Sequence, residues 1–330
     1  MQTIPGIISD AILRNNIKLP YPRAGELFVL LQNLKLQNQL VNDNLLKLTS
    51  ILKRSNINFF VVKGQTIAAH YPNPYTRTPG DIDFYCSERD LSKVLPILNK
   101  EFNICIKIGE SEKHLSFEYN NVEFELHFKL IKFACKSNQK IFDKLIQANK
   151  LNAISINNVN IPTLPPTLNL LYTFLHLYHH LLEVGVGLRQ FCDMAILCHQ
   201  YCDKNDSSYE NLIDTVQLQT TLNDLGYTKA FKAIGAILID ELGLAENEFP
   251  LPINIIDRKK SKYLLKIVYK RGNFGKYNRK TKVRSGFLYY VEQFFIKLSH
   301  YLNLYELSPK EINSLLGKEL FKKIILTLKR

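Results

Sequence analysis

The stretch Val61-Val62-Lys63-Gly64-Gln65, followed by Gly80-Asp81-Ile82-Asp83-Phe84, decides how this chain is read. Apolar β-branched residues running into Lys-Gly predict a buried strand that stops at a glycine turn. Such a turn can open a helix whose first N–H groups have no intrahelical partner and so receive phosphate. The second stretch predicts another strand. Side chains alternate along a strand, so Asp81 and Asp83 share one face while Ile82 and Phe84 turn to the core. Two hard oxygen ligands on one face, near a phosphate-receiving turn, suit magnesium held between protein and a nucleoside triphosphate. The competing reading is a solvated strand end. Aspartate is unfavourable in strands, however, and two on one face repel unless a cation lies between them.

A third strand is predicted at Val122-Glu123-Phe124-Glu125-Leu126-His127-Phe128. Alternation puts Glu123, Glu125 and His127 on one face, and Phe124, Leu126 and Phe128 on the other. A two-metal site needs a further carboxylate to complete the inner shell and help deprotonate an acceptor hydroxyl. On spacing alone either glutamate serves.

These residues resemble the DNA polymerase-beta-like nucleotidyltransferase superfamily. More closely, Lys63-Gly64, Tyr71-Pro72, Arg77, Asp81-Ile82-Asp83 and Glu125-Leu126-His127 look like a family of largely uncharacterised bacterial nucleotidyltransferases. Its later landmarks follow in order: His176 and His180, Arg189 with Asp193, and Gly272-Asn273-Phe274-Gly275. The resemblance implies an α+β fold, a small mixed sheet with helices, preceded by helices and followed by an all-helical domain. It implies Asp81, Asp83 and Glu125 as catalytic metal ligands, with Glu125 chosen over Glu123 by the Glu-x-His signature. The implied reaction moves a nucleoside monophosphate from a triphosphate, ATP among the candidates, to a hydroxyl acceptor with release of pyrophosphate. Magnesium is the implied cofactor, with manganese as the other ion. The chain departs from the superfamily in having Gln65, where Gly or Ser usually follows the turn glycine. Two other functions stay open: the same chemistry directed at tRNA or another RNA, as in antitoxin-paired relatives, and a non-catalytic binding protein on the same fold.

Around the turn, Lys63, Gly64, Gln65 and Arg77 are the candidate nucleotide-binding residues. Lys63 either neutralises triphosphate charge or is a surface residue at a strand end. Arg77 offers a planar fork that suits phosphate, or it pairs with an aspartate and holds a loop stiffened by Pro72, Pro74 and Pro79. His127 either orients Glu125 or touches the acceptor. His176 and His180 sit at i and i+4 on one helix face, without the glutamate or thiolates of a zinc site. They are expected to face a cleft, with Arg189 and Asp193 one helix later, although an Arg189–Asp193 pair within that helix is nearly as good an account.

The 330 residues suffice for two domains, and 46% hydrophobic with 22% charged residues describes a globular protein. No run is apolar enough to span a bilayer, and the first residues lack a basic region followed by an apolar stretch, so a cytoplasmic location is expected. The six cysteines form no Cys-x-x-Cys and are expected to be reduced, buried thiols. The net charge of +13 is concentrated: residues 258–284 hold twelve Lys or Arg and no Asp or Glu. That segment reads as a solvated face, a clamp for an acidic substrate, or a docking site for nucleic acid, since Tyr263, Tyr269, Phe274 and Tyr277 interleave with its cations.

Patterning divides the chain into a helical segment (1–54), a nucleotidyltransferase-like domain (55–162) and a helical domain (163–330). Strands are expected at 59–62, 102–108, 114–119 and 122–128, and helices at 65–71 and 91–98. Asn120-Asn121 and Asn157-Asn158 are expected hairpin turns. Pro162–Pro166 marks the boundary, with Thr167 as N-cap of a helix over 168–183.

Overall fold

The computed structural model describes residues 3–106, 111–183, 185–202, 212–271 and 286–328. The Gly272-Asn273-Phe274-Gly275 landmark and the end of the basic segment lie outside these residues. The described chain forms two compact units, one of residues 2–132 with 149–169, the other of residues 133–148 with 170–330.

The first unit holds one mixed sheet of six strands: β1 (Phe59–Val62), β2 (Ile82–Cys86), β3 (His114–Tyr119), β4 (Val122–His127), β5 (Asn152–Ile156) and β6 (Val159–Thr163). Their order is β3-β4-β2-β1-β6-β5. β2 lies antiparallel to β1 and parallel to β4, and β6 runs parallel to β1. Two hairpins, β3–β4 and β5–β6, supply both flanks. Each turns through two asparagines with positive φ, Asn120-Asn121 at 49° and 57° and Asn157-Asn158 at 47° and 62°. A two-residue hairpin turn of this hand needs positive φ at both positions, and asparagine tolerates it best after glycine.

Helix α1 (Pro5–Arg14) and the long α2 (Tyr21–Arg54) precede the sheet, and both begin with proline in the first turn, where a missing N–H costs nothing. The second half of α2 buries Leu45, Leu48, Ile51 and Leu52 in the core that also takes Ile82, Phe84, Phe124 and Leu126. Short α3 (Gly64–Ala68) follows β1, and α4 (Leu91–Phe102) follows β2. The strand expected over 102–108 is not formed in its described part. Phe102 closes α4, and Asn103 ends the helix in the left-handed conformation with φ 52°. The residue reads as strand-like because it is aromatic, but its ring packs on Phe117 and Phe124 from a helix, with centroids 5.4 Å away in each case.

The second unit is helical: α5 (Lys136–Ala148), α6 (Pro166–Glu183, whose first turn belongs to the first unit), α7 (Leu188–Cys202), α8 (Thr215–Leu225), α9 (Thr228–Leu242), α10 (Ile255–Arg271), α11 (Gly286–Leu304) and α12 (Pro309–Leu328). Thr167 is not an N-cap. α6 already starts at Pro166, because proline is pre-shaped for the first helical position. Periodicity did not reveal α5. It joins this unit through Asn138, whose Nδ2 donates to Leu225 O at 3.0 Å, and through Glu311, which accepts the N–H of Ala134 and, at 3.2 Å, of Cys135. Of the six cysteines only Cys86, Cys198 and Cys202 are buried, and Cys105 is exposed. No described helix is long and apolar enough to cross a membrane.

Candidate active site

β1 is stopped by backbone geometry. Lys63 has φ 56° and ψ −151°, and Gly64 has φ 45°. The first conformation is one that side chains rarely adopt, and it costs on the order of 1–3 kcal/mol, a strain typical of functional turns. Lys63 O then accepts the N–H of Thr66 at 3.0 Å and its hydroxyl at 2.7 Å, which fixes the turn into α3. A Cβ at position 64 would also lie 3.3 Å from the carbonyl oxygen of Asp81, a tight contact that adds to the preference for glycine set by its φ. The turn therefore rests directly on the approach to β2.

Two residues of α2 hold this arrangement from behind. Gln65 Nε2 donates to Asn42 Oδ1 at 2.6 Å and to Asn38 Oδ1 at 3.3 Å. Asn38 Nδ2 in turn donates to the carbonyl oxygens of Tyr75 and Arg77, both at 3.1 Å. Gln65, Asn38, Asn42 and Arg77 are all buried. The Gln65 side chain thus faces α2, leaving only its backbone to the turn. Arg77 is anchored through its main chain, its guanidinium sunk into the protein.

The carboxylates meet because of register. Asp83 is paired with Val62 of β1 on one side and Glu125 of β4 on the other. Asp81 lies one residue before β2. One oxygen from each of Asp81, Asp83 and Glu125 falls within 4.8 Å of the others. Glu123 belongs to no such group among the described residues; it is exposed, opposite exposed Glu118 of β3.

Two basic side chains enter this cluster. Lys63 Nζ lies 2.7 Å from Asp83 Oδ1. His127 Nε2 donates to the same oxygen at 2.7 Å and stands 3.1 Å from Glu125 Oε2. Burial pushes the Asp83 carboxyl up, but Lys63 and His127 together outweigh it and hold the group well below the usual carboxylate range. Burial likewise raises Glu125, and its hydrogen bond to His127 brings it below the ordinary value. Burial pulls His127 down, and its two carboxylate partners more than restore it, raising the imidazole above its ordinary value. Asp81 is different. The charge of Asp83 and then burial push it up to about 6, with Lys63 only partly offsetting them. One carboxylate is neutralised internally and the other is left in excess.

His114 was not singled out by sequence. It stands in register with His127 across β3 and β4, with ring centroids 5.2 Å apart, and its Nε2 is 3.7 Å from Glu125 Oε1. Burial holds its imidazole below its ordinary pKa. The signal for it was present: a two-residue turn at Asn120-Asn121 fixes the pairing and sets position 114 opposite 127.

The remaining candidates belong to the helical unit. His176 and His180 of α6 touch, Nε2 to Nε2 at 3.1 Å. On α7, Asp193 is buried and Arg189 is half-buried. On α10, Arg258 pairs with Asp240 and, at 3.1 Å, with Glu246, and Lys260 pairs with Glu306 at 3.0 Å. Part of the basic segment is thus compensated from other elements. Lys259, Lys262 and Lys266 remain exposed, beside Tyr263 and Tyr269, 46% and 57% exposed.

The sequence profile of a family described as uncharacterised nucleotidyltransferase matches residues 6–231, more than half of the chain. The chain belongs to this uncharacterised nucleotidyltransferase family. The match includes the turn, the three carboxylates, His114 and His127. A crystal structure of an antigenic nucleotidyltransferase-like protein from Paracoccidioides brasiliensis is similar at 14% identity and a TM-score of 0.39, covering 66% of this chain and 95% of that one. No curated protein matches the chain.

Proposed function

We propose that this member of the family is a magnesium-dependent nucleotidyltransferase acting on a nucleoside triphosphate and a hydroxyl acceptor. The observation that carries the reading is the convergence of Asp81, Asp83 and Glu125 within 4.8 Å of one another beside the Lys63-Gly64 turn. The donor set fits a hard divalent cation: three carboxylates, one of them pushed up to about 6 by the charge of Asp83 and by burial. Bound by these residues, magnesium supplies charge neutralisation on the phosphates and lowers the pKa of the acceptor hydroxyl.

The protein's own groups do the rest. His127 holds Asp83 and Glu125 in fixed orientations, a positioning role that spares reorganisation during reaction. Glu125 favours loss of the acceptor's proton. The acceptor oxygen then attacks the α-phosphorus, the bond to the bridging oxygen breaks, and pyrophosphate leaves. Lys63, 2.7 Å from Asp83 at the turn, would neutralise charge on the triphosphate. Catalysis is positioning and charge balance, as in phosphoryl transfer generally. Pyrophosphate release from each of the four triphosphates, with and without EDTA, tests the reading; magnesium-dependent binding without turnover would leave the fold as a binding protein, and neither binding nor turnover would overturn the reading.

A second reading for the acceptor is nucleic acid, favoured by the exposed Lys259, Lys262, Lys266, Tyr263 and Tyr269 of α10. Each single-strand phosphate held there would lower log affinity by about 0.7 per log unit of salt. Filter binding of bulk tRNA to wild type and to the three-lysine Gln variant checks it; weak, salt-insensitive binding, unchanged in the variant, removes this acceptor class.

A further inference from the structure

We propose that His114, Glu125 and His127 form a second divalent-ion position, one that takes an imidazole-accepting ion of the zinc or manganese class rather than magnesium. A nitrogen or oxygen from each of the three lies within 4.8 Å of the others. The two rings approach the same carboxylate from its two oxygens, His114 Nε2 toward Oε1 at 3.7 Å and His127 Nε2 toward Oε2 at 3.1 Å. The first distance is too long for a hydrogen bond. It is the separation expected of ligands sharing an ion, since atoms roughly 2.1 Å from a metal lie about 3–4 Å from each other.

The backbone builds this set rather than leaving it to mobile side chains. His114 and His127 are in-register partners on adjacent strands, and Glu125 lies two residues before His127 on the same face. His127 is 2% exposed, and the side chains of His114 and Glu125 are each 19% exposed, so the set is rigid yet open to a solvated ion. Its chemistry differs from that of its neighbour. Two imidazoles and one carboxylate suit zinc, iron or manganese, whereas three carboxylates suit magnesium. Glu125 belongs to both groups, so a filled second position ties the third carboxylate to an ion that the triphosphate does not bring. Loading would exchange the His127–Asp83 hydrogen bond for a metal bond, with the displaced proton going to solvent, so the hold of His127 on Asp83 belongs to the form with this position empty.

The proposal shares Glu125 with the nucleotidyltransferase reading, but its test needs no nucleotide. Tag-free full-length protein stripped with EDTA is titrated with zinc by calorimetry, and the manganese-loaded form is examined by pulsed electron paramagnetic resonance for nitrogen-14 coupling. Wild type is expected to show imidazole coupling. His114→Gln should reduce that coupling to the single imidazole of His127 and weaken zinc binding by at least about tenfold, because even an outer-shell partner is worth that much. His114→Phe keeps a ring against His127 and should lose the same affinity, which separates ligation from packing. Asp81→Asn should leave zinc binding in place. Wild-type manganese without nitrogen coupling, or zinc affinity unchanged in both His114 variants, overturns the second position and leaves the carboxylate site standing. Zinc binding lost equally in Asp81→Asn would mean that there is one site, not two.

Discussion

Lys63 Nζ lies 2.7 Å from Asp83 Oδ1, an ion pair between the residue whose backbone breaks β1 and the aspartate facing it from β2. The partners are 14% and 2% exposed, so solvent screens them little. With His127 on the same oxygen, the pair makes Asp83 a structural member of the fold before any ligand arrives. Asp81 is compensated only in part, by Lys63. The two aspartates look equivalent in sequence and are not.

Substitution should separate them. Asp83→Asn removes the counter-charge that Lys63 and His127 share, leaving His127 with Glu125 alone, and should destabilise the metal-free protein by about 3 kcal/mol, as breaking one side of a buried pair does. Asp81→Asn removes the charge left in excess and should stabilise the same protein at pH 8 by on the order of 2 kcal/mol. Melting temperatures in EDTA report both. Equal shifts of the same sign would contradict the geometry. The simpler expectation, that removing both carboxylates relieves repulsion, overlooks Lys63 and His127.

The raised carboxyl of Asp81 has a pH signature. A carboxyl held at about 6 in the fold and near its ordinary value when unfolded favours the folded state at low pH. That contribution is full below about pH 4 and is lost as pH rises through 6. Metal binding runs the other way, since the ion needs the ionised group. Magnesium affinity should climb as pH rises through about 6 and level off above it, with proton release on binding near and below that point. Calorimetry in buffers of different ionisation enthalpy measures both; pH-independent affinity between 5 and 8 would contradict it.

Glu125 and Glu123 should part company just as clearly. Glu125→Gln removes a carboxylate from the cluster and should lower turnover by at least about a hundredfold, with a much smaller effect on triphosphate affinity. Glu123→Gln, exposed opposite Glu118, should change neither by more than about twofold. Single-turnover kinetics with the best triphosphate distinguishes them, and comparable losses in both would point to the other end of β4.

Local chemistry made much of this visible in the sequence. Lys63-Gly64 marks the end of β1, the double asparagines set both hairpins, and strand alternation puts the carboxylates on one face. What stayed hidden depends on residues distant in the chain. Asn38 and Asn42 read as polar positions on an amphipathic helix, yet they hold Gln65 and the Arg77 loop. Nothing local distinguishes a buried asparagine from a solvated one. Phe102 misled because aromatic residues suit strands and helix ends alike when a core lies beside them. His114 was legible in principle, since the hairpin turn fixes its partner, but only if the register is counted out.

The most direct test of the account is calorimetric titration of triphosphate with magnesium into wild type and Asp81→Asn. This variant is expected to be the more stable protein in metal-free buffer, so lost binding cannot be ascribed to unfolding. Wild type should bind in a magnesium-dependent manner that EDTA abolishes, and Asp81→Asn should show no magnesium-dependent heat. Unchanged magnesium–triphosphate affinity in Asp81→Asn would contradict the assignment of these carboxylates as the nucleotide site.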